Sequence, residues 1–140
     1  ESNDHMLCHI AKLVNEGFFY AGGRIRGIPV QIGGTSYVPP LPIETVVIER
    51  IDEIRSQDKE PIEIAIELCM YCMKTQVFKD GNKRASVIFA NHYLIAQGMG
   101  FLVIPEKDVP EFKKLLVQYY EGEPLEVIGT FLKERCWKNF

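Results

Sequence analysis

The chain of 140 residues has no cluster of lysines and arginines, and no apolar run of the roughly 20 residues that span a bilayer as a helix. Its 16 basic and 19 acidic residues leave a net charge of -3, so it lacks the positive field with which proteins bind nucleic acid or anionic membranes. The first residues, Glu1–Asp4, are polar and acidic, whereas secretory signals begin with basic and then apolar residues. We therefore expect a cytoplasmic protein that binds neither nucleic acid nor a membrane.

Cysteine is also scarce, with four in the chain. Cys69 and Cys72 form a Cys-x-x-Cys pair, and His5, Cys8 and His9 lie together near the start, so a zinc site with four ligands is one interpretation. The pair falls inside an apolar helical segment rather than in a tight turn, and no βαβ pattern surrounds it as in thioredoxin-like proteins. We favour the alternative that these cysteines are free thiols.

Apolar residues recur at helical spacing along most of the chain. This pattern predicts a helix between an Asn3/Asp4 cap and Gly17, helices over residues 43–54, 61–75 and 85–96, and two more within 108–137. The helix over 85–96 is apolar on nearly every side, which is typical of the centre of a bundle. No repeat is present, and residues 101–104 are too short a segment to assign as strand or loop. The prediction is one mainly α domain over residues 1–140, with the C-terminal helices packed on the rest.

Between residues 22 and 38 the pattern changes to that of strands. Two short segments, Ile28–Ile32 and Thr35–Val38, flank Gly33 and Gly34, which is typical of a β-hairpin. Pro29 would confine its strand to an edge, and prolines at positions 39, 40 and 42 predict an extended exit. The hairpin either binds a partner or only covers the edge of the core.

A polar segment between the two most apolar helices carries the clearest chemical signal: Gln76-Val77-Phe78-Lys79-Asp80-Gly81-Asn82-Lys83-Arg84. Gly81 and Asn82 tolerate left-handed backbone angles, so their amides can turn towards one point where the next helix begins. The helix dipole and its free amides favour an anion, and Lys83 and Arg84 add two cations. Asp80 can hold a divalent metal that bridges phosphates. The alternative is a solvated turn with capping residues.

This segment resembles the signature of the Fic/Doc (Fido) family, His-x-Phe-x-Asp/Glu-Gly-Asn-Gly/Lys-Arg-x-x-Arg. The matching residues are Phe78, Asp80, Gly81, Asn82, Lys83 and Arg84. Fic proteins also place a hairpin flap, a proline-rich exit and a helix upstream, as residues 30–42 do here, and the resemblance covers about residues 15–104. It implies a Fic-type helical bundle with one β-hairpin flap. It also implies an enzyme that transfers AMP from ATP, or a phosphate in the Doc branch, to a hydroxyl side chain of a target protein.

The resemblance further implies a role for each matching residue. Asp80 would bind Mg²⁺, Gly81, Asn82, Lys83 and Arg84 would hold the phosphates of a nucleoside triphosphate, most simply ATP, and Phe78 would anchor the loop. The flap would pin an extended segment of the target by main-chain pairing. Its residues are Val30, Gln31, Ile32, Gly33, Gly34, Thr35, Ser36 and Tyr37. A nucleotide and a protein target are therefore the expected partners.

Three positions depart from the family pattern. Gln76 stands where the family has the histidine that acts as general base, and its amide cannot accept a proton. Loss of a general base typically costs ~10² to 10⁴ in rate, or about 3 to 5 kcal/mol of barrier. Lys83 is the Doc-like choice at a position where AMP-transferring members have glycine. Val87 replaces the closing arginine of the motif and removes one phosphate contact.

These departures leave the question of enzymatic activity open. In one interpretation Gln76, Asp80 and Arg84 act in a weak or altered AMP or phosphate transfer, with Gln76 orienting the target hydroxyl as glutamine orients water in small GTPases. In the other the protein is a non-catalytic nucleotide-sensing or protein-binding module. His92 is expected to be a core residue too far along its helix to replace the base. Thr130–Glu134 resembles the start of the family's inhibitory helix, but Arg135 ends that match, so we interpret it as coincidence.

Overall fold

The protein is a helical bundle in a computed structural model that describes residues 1–15 and 23–139. Its helices are α1 (Asp4–Val14), α2 (Glu44–Arg55), α3 (Pro61–Thr75), α4 (Asn82–Ala96), α5 (Val109–Tyr120) and α6 (Leu125–Phe131). A π-helical turn, Leu132–Cys136, continues α6. The predicted mainly α fold is confirmed, whereas the end of the first helix at Gly17 lies outside the described residues. Within the described ranges, no helix is both long and apolar enough to cross a membrane.

The helix ends follow from local sequence. Asn3 caps α1 by accepting a hydrogen bond of 3.0 Å from the Met6 amide, and Pro61 occupies the first turn of α3, where its missing N–H costs nothing. Gly98 follows α4 with φ +71°, a left-handed conformation that glycine adopts without strain. These signals explain why most of the predicted helix positions agree with the structure. The start of α4 was wrong, because the helix begins at Asn82 rather than at residue 85.

The core consists of two clusters of buried side chains that share α3. One face of α3 packs with α4, α5 and α6, and the other packs with α1, α2 and α4. Cys69 belongs to the first cluster and Cys72 to the second, so the Cys-x-x-Cys pair does not converge on one point. Burial raises the pKa of Cys69 to about 12, and the structure leaves all four cysteines as free thiols.

Not every apolar residue at helical spacing is buried. Leu13 is 54% exposed and Ile43 is 63% exposed. On α4, which is apolar on nearly every side, Ile88 and Ile95 are 45% and 52% exposed. Because α4 packs mainly against α3 and α1, its remaining face stays open to solvent. The predicted central position of α4 is correct, but one of its apolar faces is exposed.

The predicted hairpin strands do not form. The segment from Val30 to Tyr37 is irregular, with a turn at Gly33–Gly34 and no strand pairing. Backbone groups in and beside it bond to side chains instead, among them the amide of Tyr37, which donates to Thr35 Oγ1 at 3.1 Å.

A two-stranded antiparallel sheet is present elsewhere. It pairs β1 (Phe101–Leu102) with β2 (Trp137–Lys138). Residues 101–104, which the sequence pattern does not assign to strand or loop, thus contain a strand of two residues. At Gly100, which has φ +92°, a Cβ atom would lie 1.9 Å from the carbonyl oxygen of Lys138, so only glycine allows the chain end to approach.

Candidate functional site

A cleft of about 530 Å³ lies between the loop that joins α3 to α4 and the segment at residues 30–33. Its lining residues are Val30, Gln31, Ile32, Gly33, Gln76, Lys79, Asp80, Gly81, Asn82, Lys83 and Arg84. The structure thus brings together every residue that the sequence assigned to catalysis, metal or phosphate, with four of the eight flap residues. We call residues 76–84 the motif loop and residues 30–37 the flap segment.

The motif loop is held in shape by Asn82. The buried Asn82 side chain accepts a hydrogen bond from the Phe78 amide at 2.9 Å and donates one to the Phe78 carbonyl at 2.8 Å. Phe78 itself is only 3% exposed, so it anchors the loop in the core. The side-chain amide of Asn82 therefore closes the loop, and the group that this residue offers to a ligand is its backbone N–H.

Gly81 is required by the close approach of α1. It has φ +74°, and a Cβ atom there would lie 2.6 Å from Asn15 Oδ1. The buried Asn15 donates from Nδ2 to the Asp80 carbonyl at 3.0 Å and to the Ala11 carbonyl at 3.1 Å. Sequence reasoning missed Asn15, because an asparagine after an apolar helix indicates only a local cap.

The start of α4 offers an anion site. Gly81 caps the helix without a side-chain hydrogen bond, and the amides of Asn82, Lys83 and Arg84 have no acceptor among the described residues. The side chains of Lys83 and Arg84 are exposed at the cleft. Together these groups supply free N–H donors, a positive helix end and two cations.

Asp80 is the acidic group of the cleft. Its Oδ1 accepts a hydrogen bond of 2.7 Å from the Gly81 amide, and the side chain is exposed. Asp80, Lys83 and Arg84 form no ion pair with any described residue. The carboxylate and the two cations are therefore available to a ligand.

Gln76 is engaged inside the loop. It ends α3 with φ +51°, a left-handed angle that is uncommon for a residue with a side chain. Its Nε2 donates to the Met73 carbonyl at 2.6 Å, and its Oε1 accepts from Asn82 Nδ2 at 3.1 Å. Both ends of the amide thus brace the loop against α3, although each retains one further hydrogen-bonding position.

Arg26, a second residue that sequence reasoning missed, joins the two walls of the cleft. It is only 5% exposed. Its side-chain nitrogens donate to four backbone carbonyls: Ile28 at 2.9 Å, Pro40 at 2.8 Å, Thr75 at 3.3 Å and Gln76 at 2.5 Å. The sequence does not indicate that this single arginine in a glycine-rich stretch joins two segments, because its partners lie up to 50 residues away along the chain.

The far arm of the flap segment turns away from the cleft and contacts α5. Thr35 Oγ1 donates to the Glu121 carboxylate at 2.6 Å. The Tyr37 ring stacks on Tyr120 with 6.0 Å between ring centres, and Lys74 Nζ lies 5.4 Å from the centre of the Tyr37 ring. Four predicted flap residues, Gly34, Thr35, Ser36 and Tyr37, therefore do not line the cleft.

Three further positions that the sequence singled out lie elsewhere. His92 forms a hydrogen bond of 2.6 Å between Nδ1 and Ser2 Oγ, and burial lowers its pKa. Val87 lines an apolar groove beside the cleft, together with Ile88 and Phe112. Thr130 faces a separate pocket between α3 and α6, so the resemblance to an inhibitory helix has no counterpart at the cleft.

Comparison with known proteins finds a family match. No curated protein matches the chain. A model of the Fic/DOC family matches residues 3–94, a range that includes the flap segment and all of the motif loop. The match covers well over half of the chain, which therefore belongs to the Fic/DOC family.

Proposed function

We propose that this protein binds a nucleoside triphosphate, most simply ATP, together with Mg²⁺ at the motif loop, and a protein segment at the flap. The family generally transfers nucleotides, and in this chain we expect transfer to a protein hydroxyl to be weak. One observation carries the proposal: free α4 amides, two unpaired cations and an unpaired carboxylate converge in one cleft.

The residues fit a phosphate chain and its metal. Anions bind well at a helix start with free amides, and Lys83 and Arg84 add charge-assisted hydrogen bonds. Mg²⁺ in nucleotide sites is usually held by one or two carboxylates and the phosphates themselves. Asp80 supplies one carboxylate, and no cluster of three or more metal-binding side chains occurs in the described residues. When bound, Mg²⁺ neutralises charge on the phosphates.

The flap segment fits an extended partner. The backbone groups of residues 30–33 form no hydrogen bond with any described residue, so their N–H and C=O groups are free at the cleft. A peptide that lies alongside can pair with this edge as an added strand. That arrangement would carry a target serine, threonine or tyrosine to the phosphates.

Gln76 decides how efficient a transfer can be. A target hydroxyl would attack a phosphorus atom, the bond from that phosphorus to its leaving oxygen would break, and the hydroxyl proton would pass to water because Gln76 cannot accept it. The remaining hydrogen-bonding position on Oε1 can orient the hydroxyl. Without a base we expect a rate ~10² to 10⁴ below that of a family member with histidine.

A second candidate function is binding without transfer. It is supported by the hydrogen bonds from Gln76 to Met73 and Asn82, which make its amide a brace of the loop. In this case nucleotide occupancy would set the geometry of the cleft for a protein partner, with no covalent product.

Calorimetry tests nucleotide binding. We expect Mg-ATP to bind in the micromolar range, and Asp80→Ala and Arg84→Ala each to weaken it about 10- to 100-fold, since a charged hydrogen bond contributes about 1.5 to 3 kcal/mol. Matched controls at exposed positions, Asp58→Ala and Arg24→Ala, should leave the Kd unchanged. Absence of binding, or binding that ignores both site variants, contradicts the proposal.

Labelled ATP separates the two candidates. Transfer of label from the α-phosphate to protein in a cell lysate indicates AMP transfer, and transfer from the γ-phosphate indicates phosphate transfer. Label that depends on Asp80 supports weak catalysis. Tight binding without any transfer supports the binding module.

A further inference from the structure

The guanidinium of Arg26 is a buried cation without an anionic partner. It forms no ion pair with the described residues. Its charge is balanced by carbonyl dipoles, two of them at the end of α3, where the helix dipole is negative. Burial lowers the pKa of this group. A buried charge is costly unless its hydrogen bonds are made, so all four carbonyls are needed together.

These carbonyls belong to both walls of the cleft. Ile28 and Pro40 flank the flap segment, whereas Thr75 and Gln76 stand where α3 passes into the motif loop. The Arg26 amide adds a bond of 3.0 Å to the Val77 carbonyl. In the described part of the chain, every hydrogen bond between residues 26–40 and the motif loop comes from Arg26. Lysine could not replace it, because an ammonium lacks the planar fork that reaches several segments.

We propose that Arg26 is a positioning residue that couples the motif loop to the flap segment, so that nucleotide and protein target strengthen each other's binding. The proposal rests on the function proposed above. A ligand that orders the loop also orders the Thr75 and Gln76 carbonyls, and the guanidinium then holds Ile28 and Pro40 more firmly. Such coupling is reciprocal by thermodynamic linkage.

The amide of Tyr37 reports this coupling. It lies outside the residues that line the cleft, so a bound nucleotide does not cover it, and its exchange requires that its hydrogen bond to Thr35 Oγ1, inside the flap segment, open. Its hydrogen exchange is measured by NMR with and without Mg-ATP. We expect the nucleotide to slow exchange by about fivefold or more in the unaltered chain, the lower end of usual coupling between sites.

The matched variants are Arg26→Lys and Arg24→Lys, which keep the charge at a buried and at an exposed position of the same stretch. Arg26→Lys should still bind Mg-ATP but lose the slowing at Tyr37, whereas Arg24→Lys should keep both. A role in stability alone would not remove this response to nucleotide. If Arg26→Lys does not fold, Arg26→Gln, which keeps a planar donor, takes its place.

The outcomes separate the two proposals. Nucleotide binding without slowing at Tyr37 in the unaltered chain overturns the coupling and leaves the proposed function intact. Slowing that persists in the folded Arg26 variant also overturns it. Failure of the unaltered chain to bind any nucleotide overturns the proposed function, and the coupling with it.

Discussion

Replacement of Gly81 by alanine tests the contact between α1 and the motif loop. Two costs arise there. A side chain at φ +74° is in the left-handed region, which costs about 1 to 2 kcal/mol. The new Cβ would also lie 2.6 to 3.1 Å from three atoms of the Asn15 side-chain amide, which must move and give up its bond to the Asp80 carbonyl. Loss of that bond adds about 0.5 to 1.5 kcal/mol.

Gly98→Ala is the matched control. Gly98 has φ +71°, close to that of Gly81, but no atom lies within 4 Å of the position its Cβ would take. It should therefore show only the backbone cost. We expect Gly81→Ala to lower the free energy of unfolding by about 2 to 3 kcal/mol and Gly98→Ala by about 1 to 2 kcal/mol.

Urea denaturation followed by circular dichroism measures the difference. With a slope of about 1 to 3 kcal/mol per molar urea, the two midpoints should differ by several tenths of a molar. Equal losses in the two variants would refute the inferred contact with Asn15. Gly81→Ala should also weaken Mg-ATP binding, because the loop amides beside residue 81 must shift with it.

Three further changes test other parts of the site. Asn82→Ala leaves both backbone groups of Phe78 without partners and should cost about 2 to 4 kcal/mol in urea denaturation; a loss below 1 kcal/mol would contradict its role as the brace of the loop. Gln76→His should raise transfer of labelled AMP at least about tenfold if the missing base limits the reaction, whereas no gain would favour the changes at Lys83 and Val87 or the non-catalytic function as the cause. Burial lowers the pKa of His92 below its value in the unfolded chain, so the unfolded chain binds more protons. The stability that His92 contributes should therefore be full above about pH 6.5 and fall as the pH drops through the folded pKa. The urea midpoint of His92→Gln should vary less between pH 7 and pH 5, and equal pH dependence in both proteins would exclude His92 as the cause.

Much of the fold is readable from local sequence. Helix α3 begins at Pro61 and ends at Thr75, as the sequence pattern predicts. The apolar pattern also identified α3 and α4 as the two most apolar helices. These features depend on interactions within a few residues along the chain, which sequence spacing records directly.

The flap segment shows the limit of this reasoning. Its alternating residues and glycine pair are typical of a hairpin, yet no strands pair there. The groups that decide its course come from elsewhere: Arg26 binds the carbonyls at its flanks, and Glu121 binds Thr35. A partner 86 residues away leaves no periodic signal in the chain.

The sequence by itself determined the helical class of this protein and the residues of the motif loop, and it predicts that Gln76 stands where the family has its histidine. Only the tertiary structure decided that Asn15 supports Gly81, that Arg26 joins the two walls of the cleft, and that the Gln76 amide is already engaged. The reason is physical. Helix formation and motif identity follow from neighbouring residues, whereas a buried hydrogen-bonding group finds its partners only when distant segments pack together.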